Sequence, residues 1–242
     1  TFIIFGGLIS GNGVFNIPST ATVVSNGTPS TGSLNISGIN AANQLTILND
    51  GIFNWNNTTS FGDIFLTDSV FENNGDFLIN LSITSSSVSG NGNIINRPNG
   101  IFQVTGGLLP NINTSLAFIN EGGVIINAGA ALTLSGASST LNLANGAYLS
   151  GGGALNANVN VNSFGRIQMN PGTISQLDIN GNLTINPGAN LLFDVQNASA
   201  VSADIRDVLN VNGLLTISGG DVYINWLGDI NANAAQLIAD AG

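Results

Sequence analysis

Turns that contain asparagine and glycine recur along the chain at a nearly constant spacing, and each turn leads into a short apolar segment. The step from one turn to the next is 24, 25, 22 and 24 residues, measured between Gly51, Gly75, Gly100, Gly122 and Gly146. A step between about 20 and 50 residues is typical of proteins that stack one structural unit on the next. Asparagine–glycine turns also begin many antiparallel hairpins, so the turns alone do not decide the fold.

Short segments between the turns alternate apolar and small polar residues, as in Leu45–Leu48, Leu132–Leu134 and Leu183–Ile185. Alternation with a period of two is typical of a strand with one buried face. A unit of about 24 residues holds two or three such strands and cannot bury its apolar face alone, so the units must stack. We also expect asparagines at the corners to stack into ladders of side-chain amides.

The sequence therefore predicts an all-β fold, a right-handed parallel β-solenoid (β-helix). Dividing the 242 residues by a step of about 24 gives about ten coils, and at about 4.8 Å per coil the rod is roughly 50 Å long. An antiparallel β-sandwich is the alternative fold. A sandwich has no reason to repeat its sequence at a regular step, so the repeat favours the solenoid.

The solenoid is interpreted as one domain over 1–242, with three parts. They are an N-terminal strand or cap over 1–20, asparagine- and glycine-rich coils over 21–180, and coils of a different repeat over 181–242. We expect Asn233–Asp240 to form either a short capping helix or a last strand. The sequence lacks a charged segment followed by a long apolar one, so we interpret it as a processed piece of a longer exported protein.

The charge balance limits the partners of the chain. Thirteen acidic residues outnumber three basic ones, Arg97, Arg166 and Arg206, and the formal net charge is -10. Binding to nucleic acids or anionic membranes needs clustered lysine and arginine, so we predict neither partner. No apolar run approaches the length of a membrane-spanning helix, so we also predict no membrane insertion. The chain has no cysteine, which excludes disulfides and cysteine-bound metals.

Catalysis on polysaccharides would need specific polar groups. Hydrolysis needs two carboxylates facing one cleft. The candidate carboxylates are Asp63 with Asp68 and Glu72, Asp204 with Asp207, and Asp50 with Asp76 on neighbouring coils. We interpret them as exposed corner residues that keep the protein soluble. A lyase needs a base, and the chain has no lysine and no histidine. We therefore predict that the protein is not an enzyme.

Sites for cofactors and metals are weakly represented. Asp229–Asn233 resembles the beginning of a calcium-binding loop, but Ala234 replaces the required glycine. Gly151–Gly153 is not followed by the lysine of a phosphate-binding loop, so we interpret it as a corner of the solenoid. We predict no cofactor and no bound metal.

Aromatic side chains are the groups best suited to stacking on sugar rings, and the sequence offers Trp55, Trp226, Tyr148 and Tyr223. Trp55 alternates with Phe53 and so shares its face of the strand. Because Phe53 is a predicted core residue, we expect Trp55 to lie in the core as well.

The last third of the chain carries a resemblance to a known family. Gly181–Asp194 resembles the strand–Pro-Gly–strand unit of autotransporter-associated β-strand repeats. The continuation over Asp207–Gly213 and Leu214–Asn225 is similar to the pattern at the end of bacterial surface passengers. The resemblance implies export, a β-helical passenger and a structural or adhesive role. It also implies a secreted or extracellular location, at the bacterial cell surface.

A solenoid has two open ends that invite polymerisation. The apolar, strand-forming residues at one end are Thr1, Phe2, Ile3, Ile4 and Phe5. This segment is either a first strand or lid on the first coil, or an edge that docks onto another subunit. We treat these five residues as the candidate assembly contact, with self-association or other surface proteins as the expected interactions.

The sequence thus favours an extracellular structural or adhesive module, which self-assembles through its ends if the docking interpretation holds. The alternative is a carbohydrate-binding or polysaccharide-cleaving β-helix, with glycans as its ligands. Two carboxylates and an aromatic ring meeting in one groove would favour that alternative.

Overall fold

The computed structural model describes residues 1–27, 33–57, 62–81, 86–106, 111–112, 116–136, 139–196 and 206–227. In these ranges the chain forms short strands joined by tight corners, and they contain no α-helix. Accordingly, the described part of the chain has no helix with the length and hydropathy needed to cross a membrane.

The described strands are, in chain order, β1 (Phe2–Ile4), β2 (Gly7–Ser10), β3 (Gly13–Ile17), β4 (Thr22–Gly27), β5 (Leu34–Ser37), β6 (Leu45–Asn49), β7 (Ile52–Asn57), β8 (Ile64–Thr67), β9 (Ser69–Asn73), β10 (Asp76–Leu81), β11 (Ser87–Gly90), β12 (Asn93–Asn96), β13 (Ile101–Val104), β14 (Asn111–Ile112), β15 (Ala117–Asn120), β16 (Gly123–Ile126), β17 (Ala131–Leu134), β18 (Thr140–Leu143), β19 (Tyr148–Gly151), β20 (Ala154–Asn156), β21 (Asn158–Val161), β22 (Arg166–Gln168), β23 (Gln176–Ile179), β24 (Leu183–Ile185), β25 (Asn190–Gln196), β26 (Val208–Val211), β27 (Leu215–Ile217) and β28 (Asp221–Leu227).

These strands form three faces, because every third strand joins the same face. The first face is a ten-stranded sheet that runs from β1 to β28, and the second is a nine-stranded sheet from β2 to β26. The third face consists of a five-stranded sheet from β3 to β15 and a four-stranded sheet from β18 to β27. Every strand pair within these sheets is parallel. The predicted parallel β-solenoid is therefore confirmed and the antiparallel sandwich is wrong, while the handedness and the number of coils stay predictions.

One column of inward-facing side chains follows the first face from end to end. Its members occupy the same register position on ten successive strands: Phe2, Val23, Phe53, Phe77, Phe102, Val124, Leu149, Ile167, Leu191 and Val222. The seven members from Val23 to Ile167 are buried, whereas Phe2 and Val222 are exposed. Each interior member is shielded by the strands above and below it, and each buried side chain of this size contributes about 1.5–3 kcal/mol.

Aromatic rings stack within this core. Phe77 lies between Phe53 and Phe102, with centroid distances of 5.1 and 4.9 Å and nearly parallel planes. Phe71 on the third face meets Phe53 and Phe77 edge-on, at 5.0 Å from each. Such pairs contribute about 0.5–1.5 kcal/mol each beyond the area that they bury. The stacked rings tie the first and third faces together in this part of the solenoid.

A ladder of asparagines lies along the inner edge of the third face, as predicted for the corners. Asn49, Asn73, Asn96 and Asn120 occupy one register position on β6, β9, β12 and β15. The Nδ2 group of each donates to the Oδ1 atom of the next, at 2.7, 2.8 and 2.8 Å. The first three side chains are completely buried. Because buried amides are costly unless paired, this ladder strongly favours one register of the coils.

The turn glycines allow close approach between coils. At Gly75 a Cβ atom would overlap the carbonyl oxygen of Gly51, and at Gly100 it would overlap that of Asn73. Gly146 differs, since its φ is +94° and it follows Asn145 at +53°. Among the five glycines that define the step, only Gly146 needs the left-handed conformation that glycine adopts at low cost. The repeat thus reflects mainly the narrow space between stacked coils.

Candidate functional site

The first coil consists of β1, β2 and β3, which are the outermost strands of three sheets. Each pairs with one neighbour only, β4, β5 and β6 respectively, among the described residues. Their outer backbone edges therefore have the geometry of a template for another strand.

The five residues of the candidate assembly contact lie on this coil. Phe2–Ile4 is the edge strand β1 and lies in the sheet, not across the end of the core. Phe2 is 59% exposed although its register position is an inward one, because no strand covers it. Ile3 and Phe5 are also exposed, and Ile4 is half-buried against the core. Thr1 is exposed and precedes the strand.

Two open clefts flank β1, with volumes of about 310 and 260 Å³. Phe2 and Phe15 line both of them, and Ile17 lies in the floor of the smaller one. Side chains of a further coil would occupy these clefts, since Phe2 and Phe15 both belong to inward-facing columns.

Charge is absent from the sequence of this end. Residues 1–49 contain no Asp, Glu, Lys or Arg, and Asp50 is the first charged side chain. Natural edge strands commonly carry charges, especially lysine, which discourage pairing with other chains. The first coil has no such protection in its side chains. This uncharged segment was visible in the sequence and marks the first coil as an unprotected edge.

The opposite end is also apolar. Strands β26, β27 and β28 are the last described strands of their sheets. Large exposed apolar side chains near this end are Leu214, Leu215, Ile217, Val222, Tyr223 and Ile224. Leu215 continues an inward column whose other members, Leu141, Val159 and Leu183, are buried, and Val222 is the last described member of the first-face column. Among the described residues, apolar side chains of inward columns are thus exposed at both ends.

Two aspartates and one tyrosine meet at a cavity of about 280 Å³ near β28. Asp194, Asp207 and Tyr223 line it, together with Gln168 and Asn225 among others. The sequence had paired Asp207 with Asp204, which lies outside the described residues. Asp194 was missed because it is 13 residues from Asp207, whereas Asp204 is close to Asp207 in the sequence.

Protein groups already bind all four oxygens of this aspartate pair. The amide of Gly172 donates to Asp194 Oδ2 at 2.6 Å, and Asn225 Nδ2 donates to Oδ1 at 2.8 Å. The amide of Ser175 donates to Asp207 Oδ1 at 2.8 Å, and that of Asp194 donates to Oδ2 at 2.6 Å. Burial raises the pKa of Asp207, and these amide N–H groups offset part of that effect. Such saturation is typical of carboxylates that hold corners in place.

The same pair closes the segment between β25 and β26. The amide of Asp207 donates to the carbonyl of Asp194 at 2.8 Å, and Val195 and Arg206 form an antiparallel bridge. The step from β23 to β26 is 32 residues, as in the pair Asp178 and Asn210, and not 24. The two aspartates therefore hold the two ends of this longer segment against the strands of the solenoid.

The other predicted carboxylates bind partners on the next coil. Asp50 accepts a hydrogen bond from Asn74, and the neighbours of Asp76 in the sheet are Ile52 and Ile101. Thus Asp50 faces Asn74 and not Asp76.

A second group of predicted carboxylates lies one coil further along. Asp63 accepts from the Ser87 amide, and Asp68 accepts from Asn91. Glu72 forms an ion pair with Arg97 at 3.1 Å. These contacts link neighbouring coils. Asp63 and Asp68 accept hydrogen bonds from different partners, Ser87 and Asn91, and Glu72 is paired with an arginine.

The predicted aromatic residues have different positions. Trp55 is buried and its Nε1 donates to the Gly62 carbonyl at 2.8 Å, so its assignment to the core is confirmed. The Tyr148 ring lies where a Cβ at Gly123 would be, and the Arg166 guanidinium is 4.8 Å from its centroid. Both neighbours restrict access to this ring.

Tyr223 is 53% exposed at the cavity, and Trp226 lies in β28. Gly151–Gly153 forms the corner between β19 and β20, as predicted. The stretches Asp229–Asn233 and Asn233–Asp240 lie outside the described residues. Within the described ranges, no three His, Cys, Asp or Glu residues are grouped so as to hold a metal ion.

Comparison with known proteins gives no match: no family model, no curated protein and no solved structure is similar to this chain.

Proposed function

We propose that this protein is an extracellular structural or adhesive module, a stiff rod that self-associates through the open ends of its solenoid. The observation that carries the proposal is the first-face column from Phe2 to Val222, which is buried along its length and exposed at both ends. An inward column that continues to both described ends suits a unit that stacks.

Rigidity is the mechanical property that such a fold supplies. Backbone hydrogen bonds join each strand to the next along three faces, and the asparagine ladder adds side-chain bonds in the same direction. The chain has no lysine and only three arginines, so trypsin has few sites. The resemblance of 181–242 to repeats of bacterial surface passengers supports a secreted location, at the bacterial cell surface.

Glycan binding is the second candidate function, and the cavity at Asp194, Asp207 and Tyr223 favours it. Carboxylates beside an exposed aromatic ring suit sugar hydroxyls and a sugar ring face. The protein donors on both carboxylates argue against hydrolysis, which needs one carboxyl group free to transfer a proton. A glycan array with the native protein and with Tyr223→Ala tests it. Signals on native protein that Tyr223→Ala abolishes would support glycan binding, and a blank array would contradict it.

Electron microscopy of the purified protein at neutral pH tests the structural function. We expect rods that join into regular fibres as the protein concentration rises. Compact particles with no elongated shape would contradict the rod, and short single rods at every concentration would contradict self-association.

A further inference from the structure

We propose that the corner before β22 binds a sugar that carries one carboxylate, through the exposed ring of Phe164 and the guanidinium of Arg166. This corner lies on the side of the rod, and described coils flank it in both directions. The proposal rests on the adhesive role proposed above and names its class of ligand. It involves neither end of the solenoid.

Phe164 has a backbone conformation that a bulky residue rarely adopts, with a φ of +62° in the left-handed region. Glycines occupy the matching corner position on both neighbouring coils. The Gly146 amide donates to the Phe164 carbonyl at 3.0 Å, and the Phe164 amide donates to the Gly188 carbonyl at 2.8 Å. Both glycines have positive φ as well, +94° and +78°. The fold is thus suited to glycine here, and phenylalanine costs backbone strain.

The Phe164 side chain gives the core no burial in exchange for this strain. Phe164 is 70% exposed, and the two glycines beside it bring no side chain against its ring. Hydrogen bonds to both neighbouring coils nevertheless hold its backbone in place. Strained residues of this kind are found where a fixed side chain contacts a ligand. The ring is therefore an apolar contact surface at a fixed position.

Arg166 lies two residues further along and is the second component of the site. Its guanidinium carbon is 4.8 Å from the centroid of the Tyr148 ring, which rests against Gly123. Nε of Arg166 is buried and has no hydrogen-bond partner. Both ion pairs among the described residues belong to Arg97, so Arg166 has no carboxylate partner in that part of the chain. An aromatic ring thus positions a guanidinium that can bind an external acid.

The charge around Arg166 selects the ligand. In its outward column Asn190 comes next and Asp221 follows, two strand spacings or about 10 Å away. One guanidinium binds one carboxylate through two parallel hydrogen bonds. The formal net charge of -10 disfavours ligands with many negative charges. A sugar with one carboxylate fits, because its acid group suits Arg166 and its apolar ring face suits Phe164.

Binding of two acidic sugars tests the class of ligand. Sialyllactose and a glucuronate-bearing xylotriose each carry one carboxylate, and their methyl esters are the neutral counterparts. Isothermal titration calorimetry with the native protein should show binding of both acids. The dissociation constants of the esters should be at least about tenfold higher, because they lose a charge-assisted hydrogen bond. Absence of binding by both acids, or equal affinities for acids and esters, would overturn the proposal.

Arg166→Gln tests the cation. It should raise the dissociation constant of both acids at least about tenfold, for the same reason. Arg206→Gln is the matched control, because it removes an equal charge from another exposed position outside the ion pairs. We expect it to change the constant less than about twofold. Equal effects of the two substitutions would mean that only the overall charge matters, and would overturn the site.

Phe164→Gly tests the ring. It should raise the dissociation constant about threefold or more, because the sugar loses an aromatic contact. Its melting temperature should be at least as high as that of the native protein, since glycine adopts the left-handed conformation at lower cost. A lower melting temperature with unchanged sugar binding would show that the ring serves the fold instead.

The outcomes separate this site from the other proposals. Loss of binding in Tyr223→Ala but not in Arg166→Gln would place the sugar at the cavity near β28 and overturn the present site. Binding of N-acetylglycylglycine, a peptide with one carboxylate, as tightly as the sugars would overturn the assignment to a sugar. Electron microscopy of Arg166→Gln and Phe164→Gly measures self-association independently. We expect fibres like those of the native protein, so a failure of sugar binding leaves that proposal intact.

Discussion

The solenoid consists of two regions that stack their coils by different means. From β6 to β15 the core holds stacked phenylalanines and a buried asparagine ladder. From β18 to β27 the buried side chains of the third face are aliphatic, and asparagine ladders lie on the outside, as between Asn180 and Asn212. Both regions satisfy the same three-faced geometry, so neither the rings nor the buried amides are essential to the fold.

The two regions also differ in the regularity of their coils. Along the buried ladder the steps are 24, 23 and 24 residues. In the exposed ladders they range from 18, between Asn142 and Asn160, to 32, between Asn180 and Asn212. A buried amide must meet its neighbour or lose its hydrogen bonds, whereas an exposed amide can bind water. The comparison teaches that burial of the ladder enforces a constant coil length.

The largest expected difference concerns the aromatic core. Phe77→Ala should lower the free energy of unfolding by about 4 kcal/mol, because it removes a ring stacked on two others and leaves a cavity. Leu149→Ala, at the same column position in the later region, should cost about 3 kcal/mol. Urea denaturation measures both. Equal losses of free energy would mean that ring stacking contributes no stability beyond that of burial.

Next in size is the asparagine ladder. Asn73→Ala should cost about 3 kcal/mol, because it leaves buried groups of Asn49 and Asn96 without partners. Asn180→Ala removes a link of the exposed ladder and should cost about 0.5 kcal/mol or less. Urea midpoints of the two variants provide the comparison. Similar midpoints would refute the idea that burial makes the hydrogen bonds of the inner ladder contribute more to stability.

A smaller effect is expected from the pH dependence of Asp207 in the later region. Burial raises the pKa of this carboxyl in the folded protein, so the folded state holds its proton to a higher pH than the unfolded chain. Its contribution to the free energy of unfolding is complete below about 3.8, the ordinary value, and is lost as the pH rises through the folded-state pKa.

Asp207→Asn removes this titration. Thermal melting of the native protein and the variant between pH 3 and pH 8 should show a flatter profile for the variant, even though its stability is lower at every pH. Parallel profiles would show that Asp207 does not titrate differently in the two states.

The smallest expected effect concerns Asn49, at the N-terminal end of the buried ladder. Asn49 Oδ1 is buried and lacks a partner, and the residue above it in the sheet is Ile17. Ile17→Asn would place an amide there in the direction of the ladder. We expect it to cost about 1 kcal/mol less than Ile36→Asn, a buried substitution with no amide nearby. Equal costs in urea denaturation would show that the ladder cannot be extended.

Much of the fold could be predicted from the sequence. The step between the glycines of 51–146 predicted parallel stacking, because coils separated by a constant length place like residues in register. The alternation of Phe53 and Trp55 predicted the buried face. Corner asparagines predicted the amide ladder, although not which ones are buried, since that depends on the path of the chain at each corner.

The carboxylate pair could not be predicted in the same way. Asp194 and Asp207 lie at the two ends of the segment between β25 and β26, where the register step is 32 residues, and no repeat in the sequence marks that longer step. Proximity in sequence pointed to Asp204 instead. At the first coil the informative signal was the lack of charged residues over 1–49. A search for motifs made of particular residues does not detect such a lack.

The buried asparagine ladder has an electrical consequence. Each Nδ2 group points toward the next coil and each Oδ1 atom toward the previous one, so the amide dipoles of Asn49, Asn73 and Asn96 add along the rod. The negative end lies at the unpaired oxygen of Asn49. In a head-to-tail filament every subunit would add its dipole in the same direction. In pairs of subunits joined head to head, the dipoles of the two ladders would instead cancel.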